Sequence, residues 1–493
     1  MSPFKSSPLV RLGAVKSLED FHAVCSSLGI ELPAEALGEG PSPLAAPAPV
    51  VVNGKRPGNR IVIHPMEGWD GTTTGGVTDE MRRRWRRFGE SGAKMICGAE
   101  AMAVRPEGRA NPRQLVITDE NKAGIAELVG ILKGAHQELH GSADDLVIGF
   151  QLTHSGRFCR PQDKRCAPRV AFRHPILDRR VNIVSDDPVL SDAELEEIIA
   201  DYVRAARVAW KSGADFVDIK HCHGYLLHEF LGARTRPGKY GGAFENRTRA
   251  LREIVAGIRA DGNPIDLGVR LSLFDMAPYR PDPERSEPGK LGPGIPEDFS
   301  ACLPYQYGFG VNQDDPTQID LAETFEFVAL CVQLGVKVLN TTAGSPYYTP
   351  HIQRPAAFPP SDGYQPAYDP LIDVARQIHA AREVKTRAPQ GLYVIGSGYT
   401  YLQEFLPPVA TAVIRRGWAD AIGVGRAALS YPGMLADAIA GKAMEKKLIC
   451  RTFSDCTTAP RNGLVSGCYP LDKFYTQRPE FARLKEIKKG VGG

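Results

Sequence analysis

The chain lacks a long apolar run. Nowhere in its 493 residues does a hydrophobic stretch approach the roughly eighteen residues that a membrane-crossing helix requires. Its N-terminus, MSPFKSSPLVRLG, lacks the apolar core of a secretory signal. It also lacks an excess of either charge. Its 60 Lys and Arg face 57 Asp and Glu, for a net +3, so nothing in the composition asks for nucleic acid or a membrane surface as partner. Cysteine is sparse, with 10 in the whole chain, too few for a disulfide framework. Cys97 and Cys331 fall inside apolar runs, where a small buried thiol is the ordinary reading. These absences lead to the expectation of a cytoplasmic protein that acts on a small molecule, with homo-oligomerisation left open.

What is present is a rhythm. Residues 1–50 carry one short helical pattern, SLEDFHAVCSSLGI, and a Pro/Ala linker, GEGPSPLAAPAPVVVNG. Residues 51–445 repeat a short β-rich run, a polar or Gly-rich turn and an amphipathic helix. The β-runs are 61–65, 94–99, 146–152, 215–220, 266–272, 336–342, 392–397 and 420–425. They are almost wholly apolar rather than alternating, as expected of parallel strands covered on their outer face. Between them, SDAELEEIIADYVRAARVAWKSG reads as a helix with a capping box, Ser191 with Glu194, closed by Gly213. Eight such units predict an α/β fold, a (β/α)8 barrel; a doubly wound open sheet is the alternative. A Pro- and Gly-rich insertion, 278–318, follows the fifth strand on what would be the catalytic face. It reads as a lid or substrate wall, or as a disordered surface loop. Residues 446–493 form a tail with Cys450, Cys456 and Cys468.

Several polar residues stand where a strand should be apolar. Gln151 ends the third run, and a buried amide must be hydrogen-bonded; it can donate and accept, which suits the edge of a heterocycle. Arg270 is a charge among apolar neighbours and needs a carboxylate or an electron-rich ring as partner. The loops after the last two runs, GSGYT and GVGRAAL, have glycines that let backbone N–H groups approach an anion. Five arginines in MRRRWRRFGESG read as the solvated basic face of a helix.

The stretches NRIVIHPM, EAMAVRPEGR, IGFQLTHSGR, HGYLLHEFL…TRPGKYGGAFENRTR, GVRLS and ADAIGVGRAAL, in this order, resemble the Old Yellow Enzyme family of FMN-dependent oxidoreductases. The likeness runs from about residue 58 to 440. It implies one FMN on the barrel's C-terminal face, reduced by NADH or NADPH. Pro65, Met66 and Ala101 would line the ring. Gln151 would meet its pyrimidine edge, and Arg270 the region where negative charge gathers on reduction. Gly396, Gly398, Gly425 and Arg426 would cradle the phosphate. Glu67 stands where the family often has Thr or Cys, and a carboxylate there would oppose flavin reduction. His223 and Tyr225 keep the family's pattern of an oxygen-holding residue and a proton donor. Lys220 departs from it, putting an ammonium where the family has His and favouring an anionic substrate.

The resemblance implies hydride transfer from NAD(P)H through flavin to an electron-poor unsaturated carbon, with dehydrogenation as the reverse. Its longer members, of the 2,4-dienoyl-CoA reductase type, carry four tail cysteines for an iron–sulfur cluster. Here Phe453 replaces one of them, and a structural tail is the expectation. No metal site is expected. The competing metallohydrolase reading would pair His221 with His223 on one strand face and add His64 or His154. A non-catalytic flavin-binding protein is the remaining alternative.

Overall fold

The computed structural model describes residues 9–38 and 40–490. Each of the eight apolar runs forms a strand. In chain order the strands are β1 (Ile61–Ile63), β2 (Met95–Ala103), β3 (Val147–Thr153), β4 (Phe216–His221), β5 (Asp266–Ser272), β6 (Tyr279–Pro281), β7 (Gly294–Pro296), β8 (Val336–Thr342), β9 (Tyr393–Gly396) and β10 (Ala421–Val424). β6 and β7 pair with each other as an antiparallel hairpin inside the insertion. The other eight are parallel and close into a ring, with β10 returning to β1. Closure excludes the open doubly wound sheet and establishes the (β/α)8 barrel.

The helices lie outside the ring. Asp192–Lys211 begins at the anticipated box: the Ser191 hydroxyl accepts from the Glu194 N–H at 3.2 Å, and the Glu194 carboxylate accepts from the Ser191 N–H at 2.8 Å. The helix Asp79–Gly89 departs from its sequence reading. Arg84 is not solvated; it is buried against Asp70 and Glu100, while Arg83 pairs with Asp472 of the tail at 2.8 Å. The cause is a bulge in β2, where the register slips between Cys97 and Ala101 and Gly98 takes φ +96°. The slip turns Glu100 out toward Arg84 and sets Ala101 beside Gln151.

Along each strand every second residue faces the barrel axis. At the N-terminal ends these are Val62, Met95, Val147, Phe216, Val338, Tyr393 and Ala421, joined by Ala48, Val50 and Val52 of the Pro/Ala segment, which plug that end with apolar side chains. One layer higher stand Cys97, Gln151, Asp218 and Asn340. Nearest the C-terminal mouth are Lys220 and Arg270, side by side in register.

The insertion is ordered. Tyr305 and Phe309 are buried, and Tyr305 meets His174. Among the described residues no helix is long and apolar enough to cross a membrane.

Candidate active site

A cavity of about 760 Å³ opens at the C-terminal mouth of the ring. The first strand brings Pro65, Met66 and Glu67 to it, β2 brings Ala101 and β3 brings Gln151. Lys220, His223 and Tyr225 arrive from β4 and its following turn, and Arg270 from β5. Gly398, Gly425 and Arg426 arrive from the last two loops. Gly396 is the exception among the residues that the resemblance assigns to cofactor or substrate. It ends β9 and does not line the cavity; an added Cβ there would lie 2.5 Å from the Tyr399 hydroxyl, so its smallness serves packing. Ser397, the next residue, faces the cavity instead.

The turn after β4 explains the crowding of HCHGY. β4 ends at His221, whose ring packs on Phe327 in the outer helix layer. His223 then adopts φ +67° and Gly224 +74°, which redirects the His223 side chain into the cavity. The two histidines therefore do not share a face, and the chelating pair weighed from the sequence does not form. His154 accepts from the Gly156 N–H at 3.1 Å and does not line the cavity. Among the described residues no group of three or more His, Cys, Asp or Glu is arranged to hold a metal ion.

Charge dominates the walls. Gln151 donates to Asp218 at 2.9 Å, and burial raises the Asp218 carboxyl to about 6 even though Arg270 opposes the shift. Arg270 donates to the Pro65 carbonyl at 3.3 Å, but its Nε is buried with no hydrogen-bond partner among the described residues. Lys220 is 4% exposed, and its Nζ lies 3.8 Å from the centre of the Tyr225 ring; burial lowers its pKa. His223 Nε2 lies 3.2 Å from Thr342 Oγ1 and 3.3 Å from Gln353 Nε2, and burial together with Arg270 and Lys220 holds the ring neutral. The Tyr225 hydroxyl donates to Glu67 at 2.6 Å and lies 2.9 Å from the Tyr347 hydroxyl. His64, next to Pro65, meets the Ser397 hydroxyl at 2.8 Å and packs so closely on β10 that a Cβ on Gly423 would fall 2.1 Å from its ring.

A second group of cations was not legible in the sequence. Arg354, from the Pro-rich loop after β8, is half-buried beside Arg426 and Arg461, and desolvation with these like charges pulls its guanidinium down to about 9. Arg354 Nη2 and Arg426 Nη1 are buried with no hydrogen-bond partner among the described residues. Gly398, with φ +96°, begins the turn beside them. Buried cations without an anion are unfavourable, and a phosphate would supply what they lack. The unpaired Arg270 Nε and the Gln151 amide suit the polar edge of a ring in the same way. The residues present therefore fit FMN. Arg354 is separated from any recognisable motif by a loop, so no local signal marks it.

The tail supplies another wall through Cys456, Thr457, Pro460, Arg461, Cys468 and Tyr475. Burial raises the thiols of Cys450 and Cys468, and the neighbouring Cys456 adds to both shifts. Phe453 stacks on Phe358 with ring centres 5.8 Å apart.

A family model described as the NADH:flavin oxidoreductase / NADH oxidase family matches residues 48–288. NADPH dehydrogenase from Geobacillus sp. (strain WCH70) is 32% identical over 243 residues, which is 47% of this chain and 64% of that protein. The Bacillus subtilis (strain 168) NADPH dehydrogenase is 33% identical over 237 residues, 46% of this chain and 63% of that protein. The aligned part of the chain thus spans less than two thirds of the length of these relatives. In fold, the chain is similar to 2-naphthoyl-CoA reductase in complex with 2-naphthoyl-CoA (TM-score 0.61, 16% identity, 91% of this chain and 58% of that one). It is also similar to morphinone reductase (TM-score 0.52, 19% identity, 82% of this chain and 91% of that one).

Proposed function

We propose, on the premise that this chain belongs through residues 48–288 to the NADH:flavin oxidoreductase / NADH oxidase family, that it is an FMN-dependent oxidoreductase. Its reductant is NADH or NADPH, and its second substrate is an unsaturated, electron-poor small molecule carrying negative charge. The carrying observation is the set of buried, unpartnered cationic atoms at the mouth. Arg270 Nε stands on one side, Arg354 Nη2 and Arg426 Nη1 on the other. One flavin nucleotide would answer both: Arg270 and Gln151 would hold its ring, and Arg354 and Arg426 its phosphate.

When bound, FMN supplies reversible two-electron chemistry. The chain's own residues bind, orient and move protons. Lys220 and His223 stand together on the same wall and would hold a substrate oxygen, Lys220 contributing positive charge and His223 a neutral ring. Tyr225, beside them, would exchange a proton with the substrate. Arg160, whose guanidinium lies 5.6 Å from the centre of the Tyr347 ring, and Lys164 extend the positive wall outward and support an anionic substrate.

The purified chain, incubated with FMN, should bind one equivalent, and the yellow complex should bleach when NADH or NADPH is added without oxygen. A folded chain that stays colourless in excess FMN rejects the proposal. A yellow complex that neither nucleotide bleaches rejects its catalytic part and favours a flavin-binding protein. Carboxylated enones should oxidise the reduced complex faster than neutral enones of the same skeleton; equal rates remove the anionic preference.

A further inference from the structure

We propose that Glu67 is the terminus of the proton path, that Tyr225 relays between it and the substrate, and that the charge on Glu67 sets the direction in which the site works. The proposal rests on the FMN-dependent reading above and adds to it the direction of turnover.

The hydrogen-bond inventory carries it. A phenol has one proton to give and two lone pairs. Tyr225 Oη lies 2.6 Å from Glu67 Oε2 and 2.9 Å from Tyr347 Oη. An ionised carboxylate only accepts, so with Glu67 ionised the single Tyr225 proton is committed to Glu67 and Tyr347 donates to Tyr225. In that state Tyr225 has a lone pair for an incoming proton and none of its own to give. Glu67 is held from its other side by Asn111, whose amide is 3.4 Å from Oε1. The groups facing Glu67 are the phenols of Tyr225 and Tyr347 and the cations of Lys220 and Arg160. Burial and the Glu67 charge push the Tyr225 phenol well above its ordinary range, so a bare phenolate there is disfavoured.

Two coupled transfers avoid that phenolate. A substrate X–H proton moves to Tyr225 Oη as the phenol's own proton moves to Glu67 Oε2. One X–H and one phenol O–H bond break; one phenol O–H and one carboxyl O–H bond form. The electron pair left on the substrate becomes its new π bond as a hydride departs to an oxidised flavin, the acceptor the proposed function supplies. The opposite direction requires Glu67 to be protonated first, so that it donates to Tyr225 while Tyr225 donates to carbon. An ionised Glu67 therefore favours substrate oxidation, and a protonated one favours reduction.

Glu67→Gln tests this, because a carboxamide can hydrogen-bond to Tyr225 but cannot take up its proton. With 2-cyclohexenone as probe, oxidation to phenol in air should fall at least 100-fold further than reduction to cyclohexanone under anaerobic NADPH. Glu67→Asp should recover part of the difference. Parallel losses in both directions overturn the proposal. A second readout needs no substrate. In ultraviolet difference titration against a Tyr225→Phe control, the Tyr225 phenol should ionise at least one pH unit lower in Glu67→Gln than in the unsubstituted protein; an unmoved midpoint also overturns it. A chain that binds no FMN would defeat the function proposal, while the ultraviolet titration would still decide the Glu67–Tyr225 coupling.

Discussion

The two ends of this barrel are built from the same eight strands and follow opposite rules. At the N-terminal end the inward residues are Val62, Met95, Val147, Phe216 and Val338, closed off by Ala48, Val50 and Val52. Two layers along the same strands, the inward residues are Lys220 and Arg270, with His64 and Ser397 beside them. The closed end is held chiefly by contact, since apolar surface needs only to be removed from water, although the buried Tyr393 hydroxyl has no hydrogen-bond partner among the described residues. The open end carries buried groups with no hydrogen-bond partner in the described residues, including Arg270 Nε, Arg354 Nη2 and Arg426 Nη1. Under the proposed function, a flavin nucleotide would supply the anion that these groups lack.

The sharpest way to break the comparison is to damage the packed end. Phe216→Ala removes a fully buried ring that fills the space left by Gly149 and Gly268. It should cost about 3–5 kcal/mol in chemical unfolding, with FMN affinity of the folded fraction changed less than about threefold (below ~0.7 kcal/mol). A larger loss of affinity would mean that the two ends are not independent.

The layer between them offers a pH test. Asp218 is protonated more readily in the folded chain than in the unfolded one, since burial raises its carboxyl from 3.8 to about 6. Its contribution to stability is therefore full below the unfolded value and is lost as pH rises through about 6, a loss of about 3 kcal/mol. Asp218→Asn should remove that decline, so the difference in unfolding free energy between variant and parent should grow from pH 4 to pH 7. A difference that stays constant over this range contradicts the raised carboxyl.

At the open end, replacing Arg354 and Arg426 together with Ala should weaken FMN binding roughly 100-fold, about 2.7 kcal/mol, by fluorescence titration. Without FMN the same double variant should be as stable as the parent or more so, because it relieves like charges that repel. Lower stability in both states would assign these arginines to packing rather than to phosphate. The smallest effect is expected at Lys220. Lys220→Met should raise the melting temperature of the FMN-free chain, by about 1 kcal/mol of stability, while slowing turnover of anionic substrates more than that of neutral ones.

Much of this was legible before folding was considered. The apolar runs mark all eight strands to within a few residues, because a strand buried on both faces has no polar positions to blur it. Gln151, Lys220 and Arg270 stand out for the complementary reason, as polar residues inside such runs. The hairpin β6–β7 was not legible, since three-residue strands in a Pro-rich insertion have too little pattern. Arg84 was read as solvated because its acidic partners, Asp70 and Glu100, come from a loop and from a bulge that no local spacing announces. The resemblance gives Gly396 of GSGYT to the phosphate cradle, but the residue lining the cavity there is the next one, Ser397.

The sequence by itself determined the barrel, its strand order and the wall of side chains on β3, β4 and β5, because local periodicity dictates which residues face the axis. Only the tertiary structure decided that Glu67 accepts the Tyr225 hydrogen bond, that Arg354 joins Arg426, and that the tail closes one side of the cavity. Glu67 and Tyr225 are 158 positions apart in the chain. Contacts of that range depend on how a closed ring brings its loops to one end, and no pattern within a single strand or turn records it.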